Sequence, residues 1–237
     1  MFVPEPLGQL PYAAPEGSLL RAELRFFREI PRLARHLPGL RRIPHGNRLV
    51  VAFPGFRTGD RATWPLRTYL GTLGHECHGW GIGTNRGEVA DDLDTIIGVV
   101  ERHVDRTGVP AAVIGWSLGG VFAREVARDR PELVTRVFTF GTPVVGGPRY
   151  TRSATAYTPE RLDEIEAQIN ERNQIPIERP ITAIHSRYDA AVDWRACIDD
   201  HSPNVENIEV ESCHTGHIID PDIWRIIGER LADGSAQ

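Results

Sequence analysis

The stretch AAVIGWSLGG, residues 111–120, joins a short apolar run to a serine flanked by glycines. The apolar run has the length of a buried β-strand, and helical spacing follows the serine. A serine between a strand and a helix occupies a tight turn that points its hydroxyl above the edge of the sheet. Gly115 and Gly119 leave room for the backbone to pack closely there. The stretch therefore predicts a strand–turn–helix unit with Ser117 as candidate nucleophile.

Short apolar runs alternate with helical patterns on both sides of this unit. Strands are predicted at 49–53, just before 79–83, at 111–114, 133–140, 181–185 and 208–210, and helices near 62–73, 89–104, 118–128 and 222–231. This alternation is typical of an α/β fold with a mostly parallel central sheet and helices on both faces. The stretch at about 146–180 interrupts this alternation, because it contains no apolar strand and only one polar helix at 159–172. It is predicted to form a small cap over the strand ends, where ligands bind such sheets.

The bulk composition limits the classes of protein. The 237 residues, 41% hydrophobic and 25% charged, suit one large globular domain. A net charge of −5 argues against a nucleic-acid partner. No apolar run is long enough to cross a membrane, and the N-terminus lacks a signal-peptide pattern, so the predicted location is cytoplasmic. Oligomeric state is not readable from the sequence.

The first 47 residues are predicted to be an arm and an amphipathic helix attached to a domain at 48–233. From Ser18 to about His36, apolar residues recur at helical spacing with arginines between them, and Pro31 is expected to kink or end the helix. A helix docked on the domain is the favoured interpretation. The alternative is weak contact with an anionic membrane surface through residues 18–36.

A serine nucleophile needs a base, and the base needs an acid that orients it. The acid should follow a strand, and Asp189 comes four residues after the predicted strand 181–185. Asp193 is the nearby alternative, but a short loop holds a carboxylate more firmly. The base should follow the last strand, where His214 comes first and His217 is the rival. We expect Asp189 and His214 to complete the triad.

The tetrahedral intermediate of acyl transfer needs two backbone N–H donors. One is expected from Leu118, the residue after the nucleophile. The other is expected from the loop after strand 49–53, where Gly55 lets the backbone approach, with the Phe56 amide as the first choice and Arg57 as the second.

Five motifs together resemble the serine esterase and lipase branch of the α/β-hydrolase superfamily over about residues 48–233. They are Pro54-Gly55-Phe56, Gly81-Ile82-Gly83-Thr84-Asn85, Gly115–Gly119, Gly141-Thr142-Pro143 and the Asp189/His214 pair. The resemblance implies the α/β-hydrolase fold and hydrolysis of a small-molecule or lipid ester, with no cofactor. Pro54-Gly55 replaces the His-Gly often found at the oxyanion loop, which leaves the backbone donor intact.

The same residues leave two other functions open. The same triad could serve an acyltransferase, and a non-catalytic ligand-binding protein could keep the fold. No metal is predicted, because the spacing of His75, Cys77 and His78 matches none of the usual zinc patterns. The chain has no lysine, so a P-loop lysine is excluded. Three cysteines are too few for a disulfide framework, although a Cys197–Cys213 bridge is an alternative to free thiols.

Overall fold

A computed structural model describes residues 12–15, 18, 21 and 23–233. Six parallel strands form one sheet in the order β2-β1-β3-β4-β5-β6. The strands are β1 (Leu49–Phe53), β2 (Glu76–Gly79), β3 (Ala111–Trp116), β4 (Val134–Phe140), β5 (Ile181–His185) and β6 (Val205–Glu209). The helices are α1 (Phe26–Leu40), α2 (Asp60–Thr72), α3 (Val89–Thr107), α4 (Leu118–Asp129), α5 (Pro159–Asn173) and α6 (Pro221–Asp233). In the part of the chain so described, no helix has both the length and the apolarity needed to cross a membrane.

The sheet is buried on both faces, as expected for parallel strands made of continuous apolar residues. Every residue of β1, β3 and β5 is buried, whereas the edge strands β2 and β6 are partly exposed. Val50 and Ala52 pack with α2 and α6 on one face. Leu49 and Val51 pack with α3 and α4 on the other. Because all the strands are parallel, their carboxyl ends lie along one edge, and this edge receives the loops that carry the predicted site residues. The predicted fold class is confirmed.

The first long helix differs from the prediction. Arg21 and Glu23 are helical, a turn follows at residues 24–25, and α1 then spans Phe26–Leu40, so it passes the predicted end near His36 and continues through Pro31 and Pro38. Both prolines are exposed, so water can satisfy the carbonyl groups that lose an intrahelical partner. The inner face of α1 contacts α6 and the core, with its leucines 33, 37 and 40 turned inward. Of the predicted helical residues, 19, 20 and 22 lie outside the described part.

The polar segment at 146–180 contains two short 3-10 helices, Gly147–Tyr150 and Arg152–Ala156, and one α-helix, α5, which has no buried residue. Thr158 caps its N-terminus by accepting a hydrogen bond from the Arg161 amide at 3.3 Å. At the other end, Arg172 forms ion pairs with Glu125 at 2.5 Å and Asp129 at 2.6 Å, both on α4. Polar contacts therefore hold much of this helix in place. The limits of the domain at 48–233 and of the cap remain predictions.

Candidate active site

Ser117 occupies a strained turn between β3 and α4. Its φ and ψ are 54° and −126°, a conformation that few residues other than glycine adopt. The Ser117 amide donates to the Phe140 carbonyl at 2.9 Å, and the Thr142 hydroxyl donates to the Ser117 carbonyl at 2.9 Å. These two bonds tie the turn to the end of β4 and help to stabilise the unusual backbone.

The glycines that flank Ser117 are required by close backbone contacts. A Cβ on Gly115 would lie 2.3 Å from the Gly119 carbonyl carbon, and one on Gly119 would lie 2.2 Å from the Phe53 carbonyl oxygen. Side chains at these positions would force β1, β3 and α4 apart. The Gly-x-Ser-x-Gly pattern thus has a packing explanation in this fold.

Asp189 lies in the loop after β5 and is buried. Its Oδ1 accepts hydrogen bonds from the Ala191 amide at 2.8 Å and the Val192 amide at 2.9 Å. These bonds fix the carboxylate, and its Oδ2 lies 2.7 Å from His214 Nδ1. Burial alone would raise the pKa of Asp189, but the charge and hydrogen bond of His214 outweigh it and hold that pKa below its usual value.

His214 lies in the loop after β6. The Trp116 indole N–H donates to the His214 carbonyl at 3.2 Å, which joins this loop to the residue before Ser117. Burial alone would lower the pKa of His214, but the Asp189 carboxylate outweighs it and raises that pKa above its usual value. The next residue, Thr215, donates from its amide to Glu23 Oε2 at 3.0 Å and also from its hydroxyl. The N-terminal segment therefore holds the histidine loop directly.

Gly141, just after β4, lies beneath the acid and the two histidines. Its φ is +59°, and a Cβ there would lie 2.8 Å from His217 Nδ1, 3.0 Å from His214 Nδ1 and 3.1 Å from Asp189 Oδ2. A side chain at this position would collide with all three groups. The glycine of the Gly141-Thr142-Pro143 motif therefore leaves the space in which Asp189 and His214 meet.

The two rival residues are placed differently from Asp189 and His214. His217 is buried, and its Nδ1 lies 4.0 Å from Asp189 Oδ2. Neither ring nitrogen of His217 has a hydrogen-bond partner among the described residues, and burial lowers its pKa to about 4. Asp193 accepts hydrogen bonds from the amides of Arg195 at 3.1 Å and Ala13 at 3.0 Å. Its carboxylate is thus engaged with backbone amides.

The loop after β1 lies against the nucleophile. A Cβ on Gly55 would lie 3.3 Å from the Ser117 Cβ, so this backbone approaches the serine closely. Arg57, with φ of 58°, donates its amide to the Asn85 carbonyl at 2.8 Å and is not free to act as an oxyanion donor. Among the described residues, the Phe56 and Leu118 amides make no such loop hydrogen bond. The second choice, Arg57, is therefore disfavoured by its hydrogen bonding.

Three supporting residues were not singled out from the sequence. Thr142 belongs to a motif that was recognised, but its bond to the serine turn requires the spatial pairing of β3 with β4. Trp116 and Glu23 hold the histidine loop across sequence separations of 98 and 192 residues. No local pattern could have indicated those two contacts.

The cysteines and one cluster of metal-ligand residues are buried or half-buried. Cys77, Cys197 and Cys213 are free thiols. Asp189, His214 and His217 place one donor atom each within 4.8 Å of one another, and this is the one group of three or more metal-ligand residues found in the described part of the chain. The group consists of the candidate acid, the candidate base and the buried histidine beside them.

Comparison with known proteins supports the same fold. No family model matches the chain. Over 124 residues the chain is 30% identical to the pimeloyl-[acyl-carrier protein] methyl ester esterase of Photobacterium profundum. That match covers 49% of this chain and 47% of the relative, so the chain matches about half the length of that esterase.

Solved structures match over most of the chain at low identity. The metagenome-derived lipolytic enzymes LipS and LipT are represented by a structure with a TM-score of 0.60 and 18% identity, covering 79% of this chain and 93% of that one. The monoacylglycerol lipase of Paleococcus ferrophilus gives a TM-score of 0.58 at 14% identity, covering 80% and 96%. The chain therefore shares the α/β-hydrolase fold of these solved structures, which include lipolytic enzymes.

Proposed function

We propose that this protein hydrolyses carboxylic esters through an acyl-enzyme on Ser117, with Asp189 as acid and His214 as base. The observation that carries the proposal is the 2.7 Å contact between His214 Nδ1 and Asp189 Oδ2, beside the strained serine turn. Acid, base and nucleophile follow three strands whose carboxyl ends share one edge of the sheet. This order of Ser, Asp and His along the chain is the order expected for the fold.

The first half of the reaction forms the acyl-enzyme. With its Nδ1–H donated to Asp189, neutral His214 has its lone pair on Nε2, which accepts the proton of Ser117 Oγ as that oxygen bonds to the ester carbonyl carbon. The carbonyl oxygen becomes an oxyanion. When the intermediate collapses, the bond to the alkoxy oxygen breaks, and the leaving alcohol takes the proton from His214. The Asp189 carboxylate stabilises the transient imidazolium.

The second half consumes water and restores the serine. His214 removes a proton from a water molecule, whose oxygen bonds to the acyl carbon. Collapse breaks the bond to Ser117 Oγ, which recovers its proton from His214, and a carboxylic acid leaves. Both oxyanions would accept hydrogen bonds from the Phe56 and Leu118 amides, and the N-terminus of α4 favours negative charge at the same place.

The substrate class is a small-molecule or lipid ester. The sequence relative is an esterase and the structural neighbours include lipolytic enzymes, which supports ester hydrolysis within this superfamily. Nucleic acids are poor candidates as partners, because the chain carries a net charge of −5. We retain the cytoplasmic location predicted from the sequence.

The test is hydrolysis of p-nitrophenyl esters of graded acyl length. The wild type is compared with Ser117→Ala and His214→Ala, and with His103→Gln as a matched control. His103 stacks on His78 at 3.9 Å, outside the site, so His103→Gln should keep wild-type turnover. We expect kcat/KM to fall by about three or more orders of magnitude in the two site variants, since triad members act as a unit.

Other outcomes identify the alternatives. If adding an alcohol acceptor diverts most of the acyl group from water into a new ester, the protein is an acyltransferase on the same triad. If no ester is turned over above the Ser117→Ala level at any chain length, the proposal fails and a non-catalytic binding role gains support. If His103→Gln loses as much activity as His214→Ala, the assignment of the base is wrong.

A further inference from the structure

One face of α1 is apolar and exposed to solvent. Leu24, just before the helix, is 54% exposed, Phe27 64% and Ile30 50%. The apolar stripe of this helix is defined by six exposed residues, Leu24, Phe27, Ile30, Pro31, Ala34 and Pro38. At about 100° per residue, these six positions cover about a third of the helix circumference. The leucines that pack on the core border this stripe, because Leu37 lies only about 20° around the helix from Ile30. The apolar side of the helix is thus wider than the part that packs on the core, and the remainder is uncovered.

Arginines lie along one edge of the apolar stripe. Residues 21–42 contain seven of the chain's 27 basic residues and two of its 32 acidic residues, so this segment is positive on a negative protein. Arg32 is paired with Glu29 at 2.9 Å and with Asp220 at 3.1 Å. In contrast, the arginine row of Arg21, Arg25, Arg28 and Arg35 makes no ion pair within the described part of the chain. The guanidinium groups of Arg21, Arg28 and Arg35 are therefore available to an anionic partner, whereas half-exposed Arg25 also stacks on a tyrosine ring.

The same segment adjoins the candidate active site. The Arg25 guanidinium lies 4.1 Å from the ring centroid of Tyr188, the residue before Asp189. An open cavity of about 480 Å³ is lined by Arg21, Arg25, Tyr188, Asp189 and their neighbours. Glu23, on the same segment, accepts hydrogen bonds from the residue after His214. A surface bound to the outer face of α1 would therefore lie beside the acid and base loops.

We propose that the apolar stripe and arginine row of α1 bind the surface of an anionic phospholipid membrane. The aliphatic and aromatic side chains enter the headgroup region, and the arginines contact lipid phosphates at its edge. This membrane-binding proposal rests on the proposed esterase function. It assigns the substrate class of the active site, which is esters of amphiphilic lipids that reach the site from the membrane surface.

Charge favours a membrane over a second copy of the chain as the occupant. A symmetric dimer through this face would bring two arginine rows together, and juxtaposed like charges oppose association. An anionic lipid surface supplies negative charge along the whole arginine row. The exposed prolines do not hinder this contact, because a lipid surface has no fixed shape that the helix must match.

The test measures binding without catalysis. Ser117→Ala protein is sedimented with vesicles of phosphatidylcholine alone and with vesicles containing phosphatidylglycerol, at low and high salt. Ile30→Glu in the same background is compared with Ile175→Glu. Ile175 is 52% exposed at the end of α5, so it matches Ile30 in residue type and exposure but not in location.

We expect binding to phosphatidylglycerol vesicles that weakens in high salt. Ile30→Glu should lower the partition coefficient more than tenfold, while Ile175→Glu leaves it unchanged. Arg28→Gln and Arg35→Gln should each lower it about fivefold, because an arginine near an anionic surface contributes about that factor. Far-ultraviolet circular dichroism of each variant checks that the fold is kept.

Three results would overturn the proposal. They are equal binding to both vesicle types, equal loss in Ile30→Glu and Ile175→Glu, and a solution dimer that Ile30→Glu dissociates while vesicle binding is absent. In protein that keeps the native Ser117, Ile30→Glu should reduce hydrolysis of vesicle-borne esters and leave hydrolysis of soluble p-nitrophenyl acetate unchanged. Failure of the esterase proposal removes both activities but leaves vesicle binding, so the two failures are distinguishable.

Discussion

Replacing Gly141 by alanine tests whether the space beneath the acid and base is essential. The new Cβ would lie 2.8 Å from His217 Nδ1 and 3.0 Å from His214 Nδ1. Ordinary carbon contacts begin at about 3.5 Å, so these groups or the backbone must move by at least about half an ångström. The positive φ adds about 1–2 kcal/mol of backbone strain, and overpacking adds about 1–3 kcal/mol. We expect a loss of about 2–5 kcal/mol in the free energy of unfolding.

The catalytic effect should be larger than the loss of folded protein explains. Misplacement of a catalytic group by about 1 Å can cost about 100-fold in rate, so Gly141→Ala should lower kcat/KM by about that factor. Guanidinium unfolding curves and p-nitrophenyl butyrate kinetics measure the two effects separately. The matched control is Gly108→Ala, because Gly108 has φ of +72° but nothing within 4 Å of its Cβ position.

Gly108→Ala should show the backbone strain alone, about 1–2 kcal/mol, with kcat/KM unchanged. The reasoning is refuted if Gly141→Ala keeps wild-type kcat/KM, or if Gly108→Ala loses as much activity. Equal stability losses in the two variants would also show that the contacts of the Gly141 Cβ position carry no energy.

Three further predictions follow from the buried charges. His214→Gln should abolish turnover and His217→Gln should keep it within about tenfold, because Asp189 hydrogen-bonds His214 at 2.7 Å and lies 4.0 Å from His217; steady-state kinetics decide. The pH profile of kcat/KM should fall on its acid side with an apparent pKa above about 6.5, since His214 must be neutral to act as base and the Asp189 carboxylate raises the pKa of His214. Asp199→Asn should cost about 3–5 kcal/mol in the free energy of unfolding, because it leaves the buried Arg124 without its charged partner.

Each of these predictions has a contrary outcome. Equal losses in the two glutamine variants would assign the base role to neither histidine alone. An acid limb with an apparent pKa below about 6.5 would contradict the raised pKa of His214. For the buried ion pair, Glu101→Gln is the control: its partner Arg130 is 2.8 Å away with side-chain exposures of 42% and 35%, so the free energy of unfolding should stay nearly unchanged.

The fold was predictable because its determinants are local. The apolar runs of β1, β3 and β5 fix buried parallel strands, and Ile181–His185 begins and ends where the sequence predicts. The C-terminal end of α1 was predicted wrongly, because proline costs a helix one hydrogen bond but does not end it when the freed carbonyl meets water. Burial and packing on α6, which local pattern does not encode, settled where that helix ends.

The sequence by itself determined the serine turn and the two loops in which the acid and base were sought. The Gly-x-Ser-x-Gly pattern between an apolar run and a helical pattern is readable locally, although the contact that requires Gly119, with the Phe53 carbonyl, is tertiary. Only the tertiary structure decided which histidine meets Asp189, because His214 and His217 are three residues apart and either could follow the last strand. It alone revealed that Glu23 holds the histidine loop and that α1 leaves an apolar face exposed. Such contacts join residues far apart in the chain, and their distances exist only after folding.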